Sequence, residues 1–368
     1  MKIGIITQPL HTNYGGILQN FALQVVLKQL GHTPITLRES FDADALIASP
    51  ITYHLRWAKS MIMWLVKSIL GINGVKPVRR SVALKSINIM DDFIKKNIEC
   101  TRAKELLEPK DVINNNIQAI VVGSDQVWRP KFEKHIMRHQ FLGFAKDLNI
   151  KKISYAASFG TDEWEYTDVE TEESNRLIKN FDSISVREYQ GVDMCKKYWG
   201  IDAEWVLDPV MLLDKDFYSN LCRTIQNKNN EKFVFAYILT KGKEKIRMAY
   251  DIANKLKCKV IFLSADATNN KQSVQQWIAN FRDAQWIVTD SFHGAVFSLL
   301  FEKQFLCFIN HETGNARMDT LKRISGLDDR FIEHYVAMPS SIDYSMVKAS
   351  MDKMRQSSLN FLSKSLVD

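Results

Sequence analysis

The first part of the chain alternates short apolar runs with one helical pattern. Residues 2–7 are β-branched and apolar and predict a buried strand, whereas apolar residues from Ile17 to Leu30 recur at helical spacing. Gly31 follows directly and is typical of the C-terminal end of a helix, and residues 34–37 predict the next strand. A strand, a helix and a strand in this order favour a parallel sheet covered by helices.

The same alternation continues along the chain and restarts once, after a polar segment at residues 223–231. Further strands are predicted at 119–122, 152–156, 183–186 and 204–207 before this segment, and at 233–239, 259–264, 286–289 and 304–309 after it. The pattern therefore predicts an α/β fold class with two Rossmann-like domains that face each other across a cleft. We expect residues 1–208 and 209–341 to form these domains, and residues 342–368 to form a helix that packs back on the first one.

Composition restricts the kind of protein. Hydrophobic residues make up 46% and charged residues 25%, which are ordinary values for a globular chain and exclude disorder and collagen. The 5 cysteines are scattered without CxxC spacing, so neither a zinc ribbon nor a disulfide framework is indicated. The first residues lack the apolar region of a signal peptide, and no apolar run approaches about 18 residues. We therefore expect a cytoplasmic protein without a transmembrane helix.

The positive charge is concentrated in one part of the chain. The net charge is +7, and residues 51–104 hold 11 basic and 3 acidic residues, a local charge of +8. We interpret this segment as a basic helical insertion in the first domain. No RNA- or DNA-binding signature accompanies it, so a nucleic-acid partner is not expected. An anionic membrane surface or a phosphorylated partner fits the charge.

Residues 55–70 of this insertion predict a helix with a basic stripe on an apolar background. Arg56, Lys59 and Lys67 belong to the stripe, and two tryptophans are among the apolar residues. A helix packed on the core with its lysines in solvent is the commoner outcome, and a helix lying at a membrane interface is the alternative. Because several basic groups near an anionic leaflet act together, we predict peripheral contact of residues 55–70 with the inner face of the membrane.

Two polar loops follow strands of the first predicted domain. The first loop consists of Asn13, Tyr14, Gly15 and Gly16. Glycines at a helix start let the backbone approach an anion and point free N–H groups at it, although a plain tight turn is the alternative. The second loop contains Ser124 and Asp125. Asp125 is placed to act as a general acid or base or to bind a sugar hydroxyl, and capping of the next helix is equally compatible with its position.

Two further side chains follow strands at places where anions bind. Arg187 comes directly after the strand at 183–186, and a guanidinium there suits a carboxylate or a phosphate. A surface ion pair with Glu188 is the alternative. His293 lies in the first turn of a helix that Ser291 is expected to cap, next to free N–H groups and the positive end of the helix dipole. A lone histidine is commonly structural, but this position makes His293 the strongest catalytic candidate.

Six short motifs occur in an order that resembles the polysaccharide pyruvyl transferase family. They are NYGGILQ at 13–19, VGSDQVW at 122–128, SYAASFG at 154–160, SVRE at 185–188, VLDP at 206–209 and DSFHG at 290–294. The resemblance implies two domains similar to those of GT-B glycosyltransferases. It also implies transfer of a pyruvyl group from phosphoenolpyruvate to a sugar, with formation of a cyclic ketal and release of phosphate. Phosphoenolpyruvate is then a co-substrate, and no cofactor or metal is expected.

The resemblance assigns roles to the candidate residues. Arg187 and His293 are implied as donor-site residues by their places in the SVRE and DSFHG motifs. Ketal formation needs an acid for the enol carbon and a base for two sugar hydroxyls, and we expect His293 and Asp125 to share these tasks, with His293 as the acid. The expected substrate-binding residues are Arg187, Asn13, Tyr14, Gly15, Gly16, Ser124, Ser291, Phe292 and Arg317. For Arg317, which follows a loop at 310–314, a plain surface arginine is the alternative.

The acceptor is expected to be a sugar of a polysaccharide or of its lipid-linked precursor. Two other functions fit the same architecture. A nucleotide-sugar glycosyltransferase would use Arg187 and His293 to hold a diphosphate. A non-catalytic homologue would bind a sugar or an anion in the same cleft. Preference for phosphoenolpyruvate over nucleotide sugars separates the first alternative from a pyruvyl transferase.

Overall fold

The structure is a computed structural model that describes residues 1–39, 49–69, 77, 79–133, 137–227, 231–240, 242–264, 271–309 and 315–367. Some predicted features fall partly outside the described residues. These are residues 70–76 and 78 of the basic segment, 228–230 of the polar segment, the loop at 310–314 and residue 368.

The first sheet is parallel throughout, and its strands lie in the order β2-β1-β3-β4-β5-β6. They are β1 (Lys2–Ile6), β2 (Thr33–Thr36), β3 (Ala119–Val122), β4 (Lys151–Ala157), β5 (Ser183–Val186) and β6 (Glu204–Trp205). β3 is buried along its whole length, as expected of a strand covered by helices on both faces. β6 is shorter than the strand predicted at 204–207, because the chain leaves the sheet ahead of a 3-10 helix (Pro209–Leu212).

Helices connect the strands of the first sheet. They are α1 (Tyr14–Gln29), α2 (Pro50–Ile69), α3 (Arg80–Asn97), α4 (Pro109–Asn114), α5 (Pro130–Glu133), α6 (Met137–Gln140), α7 (Asp168–Ile178) and α8 (Tyr189–Met194), which continues as a π-helix (Cys195–Trp199). α1 begins after Asn13, whose side chain accepts the backbone N–H of Gly15 at 3.1 Å. It ends before Gly31, whose φ of 83° lies in the left-handed region. α3 lies within the basic helical insertion predicted at residues 51–104, whereas α4 was not predicted from the sequence. After α3 the chain returns to the sheet edge, where Cys100 pairs beside Thr36.

The second sheet is also parallel, with its strands in the order β11-β10-β9-β7-β8. They are β7 (Phe233–Ile238), β8 (Lys259–Ser264), β9 (Trp286–Thr289), β10 (Gln304–Phe308) and β11 (Phe331–Ile332). The helices of this half are α9 (Lys215–Leu221), α10 (Lys243–Lys255), α11 (Val274–Asp283), α12 (Phe292–Leu300), α13 (Ala316–Ser325) and α14 (Tyr344–Ser365). The α/β fold class with two parallel sheets is confirmed. The domain boundary between residues 208 and 209 stays a prediction.

The two halves share one core. Buried apolar side chains of both sheets belong to a continuous cluster. Tyr14 at the start of α1 stacks on Trp277 of α11, with their ring centroids 5.2 Å apart. α14 contacts both halves: its Phe361 ring lies 6.3 Å from that of Tyr155 in β4, and its Tyr344 hydroxyl donates to a backbone carbonyl of the second half at 2.5 Å. The cleft expected between the halves is therefore closed by side-chain contacts at these points.

Candidate active site

The candidate site lies where the strand order of each sheet reverses, which is where open parallel sheets bind ligands. This place is between β1 and β3 in the first sheet and between β7 and β9 in the second. An ideal Cβ atom on Gly15, in the first turn of α1 that follows β1, would lie 1.9 Å from Nδ1 of His293, in the first turn of α12 that follows β9. Arg187 Nη2, at the end of β5, lies 3.5 Å from Asp125 Oδ1, at the end of β3. The structure thus brings candidate residues of both halves together.

Arg187 is almost completely buried and is surrounded by polar partners. Its Nη1 donates to Asp208 Oδ2 at 2.8 Å, its Nε to Glu188 Oε1 at 3.3 Å and its Nη2 to Ser158 Oγ at 3.0 Å. Burial disfavours the charged guanidinium, but the neighbouring carboxylates, Glu188 and Asp208 first among them, hold the pKa of Arg187 above its ordinary value. Arg187 and Glu188 do form the ion pair considered above. The prediction that this pair lies on the surface is wrong, because both side chains are buried.

Asp208 is a functional candidate that the sequence did not single out. Its Oδ2 accepts from Arg187 and also from Ser124 Oγ at 3.1 Å, and its Oδ1 accepts the backbone N–H of Val210 at 3.0 Å. His293 Nε2 lies 3.7 Å from Oδ2, an ion-pair distance that is too long for a hydrogen bond. Burial opposes ionisation, but His293 and Arg187 outweigh it and hold the pKa of Asp208 well below its usual range. The sequence feature that could have identified Asp208 is its position directly after the strand predicted at 204–207.

His293 occupies the first turn of α12, and its ring is largely buried. Ser291 caps this helix, because its Oγ accepts the backbone N–H of Gly294 at 3.3 Å. Asp290 fixes the start of α12 by accepting backbone N–H groups of the loop after β7 and the ammonium of Lys245 at 2.7 Å. His293 Nε2 is buried and has no hydrogen-bond partner in the described part of the chain. A catalytic role of this nitrogen stays a prediction.

Asp125 is almost fully buried at the end of β3, where its backbone has a φ of 70°. Its Oδ1 accepts the backbone N–H of Gln126 at 3.0 Å and faces the guanidinium of Arg187. Its Oδ2 lies 3.5 Å from the place that a Cβ atom on Gly16 would occupy, which is ordinary van der Waals contact, so the first turn of α1 lies next to this carboxylate. The helix-cap interpretation of Asp125 is wrong, because α5 begins only at Pro130.

Two guanidinium groups lie near the ring of Phe292. The Cζ atom of Arg187 is 4.6 Å from the ring centroid, and that of Arg317 is 6.0 Å away. Arg317 is half-buried, and burial together with the positive charge of Arg187 lowers the pKa of Arg317 to about 10. The interpretation of Arg317 as a plain surface arginine is therefore wrong. Two cations beside one aromatic ring offer a binding place for an anion.

The loop after β1 connects the two halves. The hydroxyl of Tyr14 donates to the carbonyl of Gln272 at 2.7 Å and accepts its N–H at 3.0 Å. Lys271 Nζ lies 4.6 Å from the centroid of the Tyr14 ring and donates to the carbonyl of Thr12 at 2.6 Å, and burial lowers the pKa of Lys271 to about 8. Asn13 is exposed and caps α1. Because both functions of the Tyr14 hydroxyl are engaged by Gln272, Tyr14 positions the two halves instead of offering a free hydroxyl.

Several groups that were expected to bind substrate serve the protein itself. Ser124 is fully buried between Asp208 and a backbone carbonyl, Ser291 caps α12, and Gly15 makes room for the imidazole of His293. The described residues contain no group of three or more His, Cys, Asp or Glu side chains that could hold a metal ion. The acid–base and anion-binding groups at the site are thus His293, Asp125, Asp208, Arg187 and Arg317.

Solved structures with a similar course of the chain include two UDP-GlcNAc 2-epimerases and a plant protein, UGT89C1. UDP-GlcNAc 2-epimerase from Methanocaldococcus jannaschii is 10% identical with a TM-score of 0.46, and the match covers 96% of this chain and 93% of that one. UDP-GlcNAc 2-epimerase from Neisseria meningitidis, bound to UDP-GlcNAc, is 9% identical with a TM-score of 0.46, covering 100% and 95%. UGT89C1 of Arabidopsis thaliana, complexed with quercetin, is 10% identical with a TM-score of 0.45, covering 99% and 92%. Likeness at this level says nothing about the activity of this chain.

The comparison with protein families gives a clear match. No curated protein matches the chain. The family model described as polysaccharide pyruvyl transferase matches residues 13–312, which is most of the chain and includes Asp125, Arg187, Asp208 and His293. With the two parallel sheets and the site between them already described, this match shows that the chain belongs to the polysaccharide pyruvyl transferase family.

Proposed function

We propose that this protein transfers a pyruvyl group from phosphoenolpyruvate to two hydroxyl groups of a sugar, forming a cyclic ketal and releasing phosphate. The acceptor is a sugar of a polysaccharide or of its lipid-linked precursor, and phosphoenolpyruvate is a co-substrate. The observation that carries the proposal is the buried Nε2 atom of His293, which has no hydrogen-bond partner among the described residues and lies 3.7 Å from the carboxylate of Asp208. A buried imidazole beside a carboxylate is suited to donate a proton.

Phosphoenolpyruvate carries a phosphate and a carboxylate, so its site needs cations and N–H donors. Arg317 and Arg187 lie beside the same ring, that of Phe292. Arg187 uses three of its five N–H groups in hydrogen bonds to protein acceptors, and its Nη2 also faces Asp125 Oδ1 at 3.5 Å, so its contribution to anion binding is mainly its positive charge. The start of α12 adds backbone N–H groups and the positive end of the helix dipole. We assign the phosphate to Arg317 and to this helix start.

His293 and Asp125 supply the proton transfers. Protonated His293 gives its Nε2 proton to the methylene carbon of phosphoenolpyruvate, which becomes the methyl group of the pyruvyl unit. The neighbouring carbon forms bonds to two sugar oxygens while its bond to the phosphate oxygen breaks. Asp125 accepts a hydroxyl proton, and Asp208 stabilises the charged imidazole. Of the two hydroxyl protons released, one restores His293 and the other leaves with phosphate, so the atoms balance.

The proposal is tested by measuring phosphate release from phosphoenolpyruvate with a panel of sugar acceptors, together with mass spectrometry of the sugar product. His293→Gln should lower kcat by about 10²–10⁴, because it removes the proton donor but keeps a polar side chain of similar length. The matched control is His334→Gln, since His334 is exposed and belongs to the second half as well. Ketal formation at the wild-type rate in His293→Gln would show that the proton comes from another group.

A further inference from the structure

Helix α2 carries an exposed apolar stripe along its whole length. The stripe consists of Ile51, Leu55, Ile62, Leu65, Val66 and Ile69. Apart from the neighbours Leu65 and Val66, successive members are three, four or seven residues apart, which places them on one side of the helix, and they are between 45% and 83% exposed. Single exposed apolar residues are normal on a protein surface, but a continuous stripe over about five turns of one helix marks an interaction site.

The opposite side of α2 packs against the protein. Tyr53, Trp57, Met61 and Trp64 are half-buried, and α2 contacts α3. The expectation of a helix packed on the core is met only in part on this side, because both tryptophans are half-buried and the contact is with α3 and not with a core cluster of the described residues. Packing against the protein does not explain the α2 stripe, because the stripe is exposed to solvent while the tryptophans are half-buried.

Basic side chains flank the α2 stripe on one edge. Arg56, Lys59 and Lys67 are exposed, and residues 50–69 contain no aspartate or glutamate. At the other edge, a cavity of about 400 Å³ opens between α2 and α3 and is lined by His54, Trp57, Arg79, Arg80, Ser81 and Leu84. An apolar stripe bordered by cations, without acidic groups, is the pattern of a helix that lies in a membrane interface.

We propose that α2 docks this protein on an anionic membrane surface. The α2 stripe enters the boundary between headgroups and acyl chains, and Arg56, Lys59 and Lys67 lie at the lipid phosphates. The attachment is peripheral, because no described helix is long and apolar enough to cross a membrane. A second copy of this chain fits the stripe less well, since an identical helix has no acidic residue to pair with the basic flank.

Co-sedimentation with vesicles tests the docking surface. The full chain should bind vesicles of phosphatidylglycerol and phosphatidylcholine, release from them as salt is raised, and stay in solution with pure phosphatidylcholine. Lys59→Glu/Lys67→Glu should lower the partition constant about thirty-fold or more, because two attractive charges are lost and two repulsive ones are added. Ile62→Ser/Val66→Ser should lower it by about ten-fold per side chain through lost apolar burial, with no change in charge.

Matched variants on other surfaces control for charge and for apolar exposure. Lys243→Glu/Lys255→Glu makes the same change in net charge on exposed lysines of the second half, and Val169→Ser/Met346→Ser removes two exposed apolar side chains elsewhere. Both control variants should bind vesicles as the wild type does. Circular dichroism and melting temperatures should be unchanged in all four variants, because the substituted side chains make few contacts.

Three results would overturn the proposal. The first is a wild-type chain that stays in solution with anionic vesicles at low salt. The second is vesicle binding that Ile62→Ser/Val66→Ser leaves unchanged. The third is a dimer in light scattering that dissociates in Ile62→Ser/Val66→Ser while no vesicle binding occurs, which would assign the stripe to a second copy of the chain. None of these outcomes affects the chemistry proposed for His293, because turnover of a soluble acceptor does not require α2.

Discussion

Replacing Asp208 by asparagine removes one charge from the centre of the site and keeps its shape. In the wild type, Oδ2 of this residue accepts from Arg187 Nη1 at 2.8 Å and from Ser124 Oγ at 3.1 Å, and it lies 3.7 Å from His293 Nε2. The variant leaves a buried guanidinium with one counter-charge fewer. We therefore expect Asp208→Asn to lower both the stability of the fold and the rate of transfer.

The size of the stability effect follows from the burial of the pair. Removing one partner of a buried ion pair costs about 3–5 kcal/mol. Because Glu188 and Asp125 still face Arg187, we expect the lower end, about 3 kcal/mol. The pKa of Asp208 is lowered in the folded state, so its stabilising contribution is present above the unfolded-state pKa of about 3.9 and is lost as the pH falls towards the folded-state value. The difference between wild type and variant should be full at neutral pH and shrink below about pH 4.

Melting temperatures of wild type and variant, measured across this pH range, check the reasoning. The control is Asp202→Asn, because Asp202 pairs with Lys196 at 2.7 Å but both side chains are largely exposed. Such a pair contributes at most about 1 kcal/mol, so this control should melt close to the wild type at every pH. The reasoning is refuted if Asp208→Asn melts with the wild type at neutral pH, or if its deficit persists undiminished at about pH 3.

Three further substitutions test the geometry. Gly15→Ala places a methyl carbon 1.9 Å from His293 Nδ1, so the imidazole must move and kcat should fall at least about ten-fold. The control is Gly242→Ala, whose Cβ atom would lie no closer than 3.4 Å to its neighbours, and this variant should leave kcat unchanged. Arg317→Gln should raise the KM for phosphoenolpyruvate about ten-fold or more and alter kcat less, since it removes a charge-assisted contact; equal loss in both parameters would count against a binding role. Tyr14→Phe removes two hydrogen bonds between the halves and should lower the unfolding free energy by about 1–3 kcal/mol in urea denaturation, and an unchanged midpoint would show that these bonds contribute nothing.

The sequence predicts the strands of both sheets well, because short β-branched runs followed by helical patterns leave few alternatives. β3, β5, β8 and β9 have the predicted bounds. The residues at strand ends were also visible, since polar side chains after parallel strands converge at one edge of a sheet. His293 and Arg187 could be named for this reason, before any contact between them and their neighbours was known.

Contacts between distant parts of the chain were not predictable in this way. The sequence around Asp208 shows only a turn with a carboxylate. That this carboxylate lies beside His293 depends on how the two sheets pack against each other. Tyr14 looked like a ligand-binding phenol, yet its hydroxyl is engaged by Gln272, 258 residues further along the chain. For α2, the spacing of apolar and basic residues predicted a helix with a basic stripe. It could not predict which side of this helix the protein covers, because the tryptophans and the aliphatic residues are both apolar.

The most direct measurement for the central claim is the melting temperature of the protein with phosphoenolpyruvate, UDP-sugars, GDP-sugars and CMP-sugars, each added separately. A ligand that binds only the folded state raises its stability, by about 2.7 kcal/mol at a concentration of 100 times Kd. We expect phosphoenolpyruvate to raise the melting temperature of the wild type, and Arg317→Gln to require a higher concentration for the same rise. Stabilisation by a nucleotide sugar, with none by phosphoenolpyruvate, would contradict the account and assign the site to a nucleotide-sugar donor.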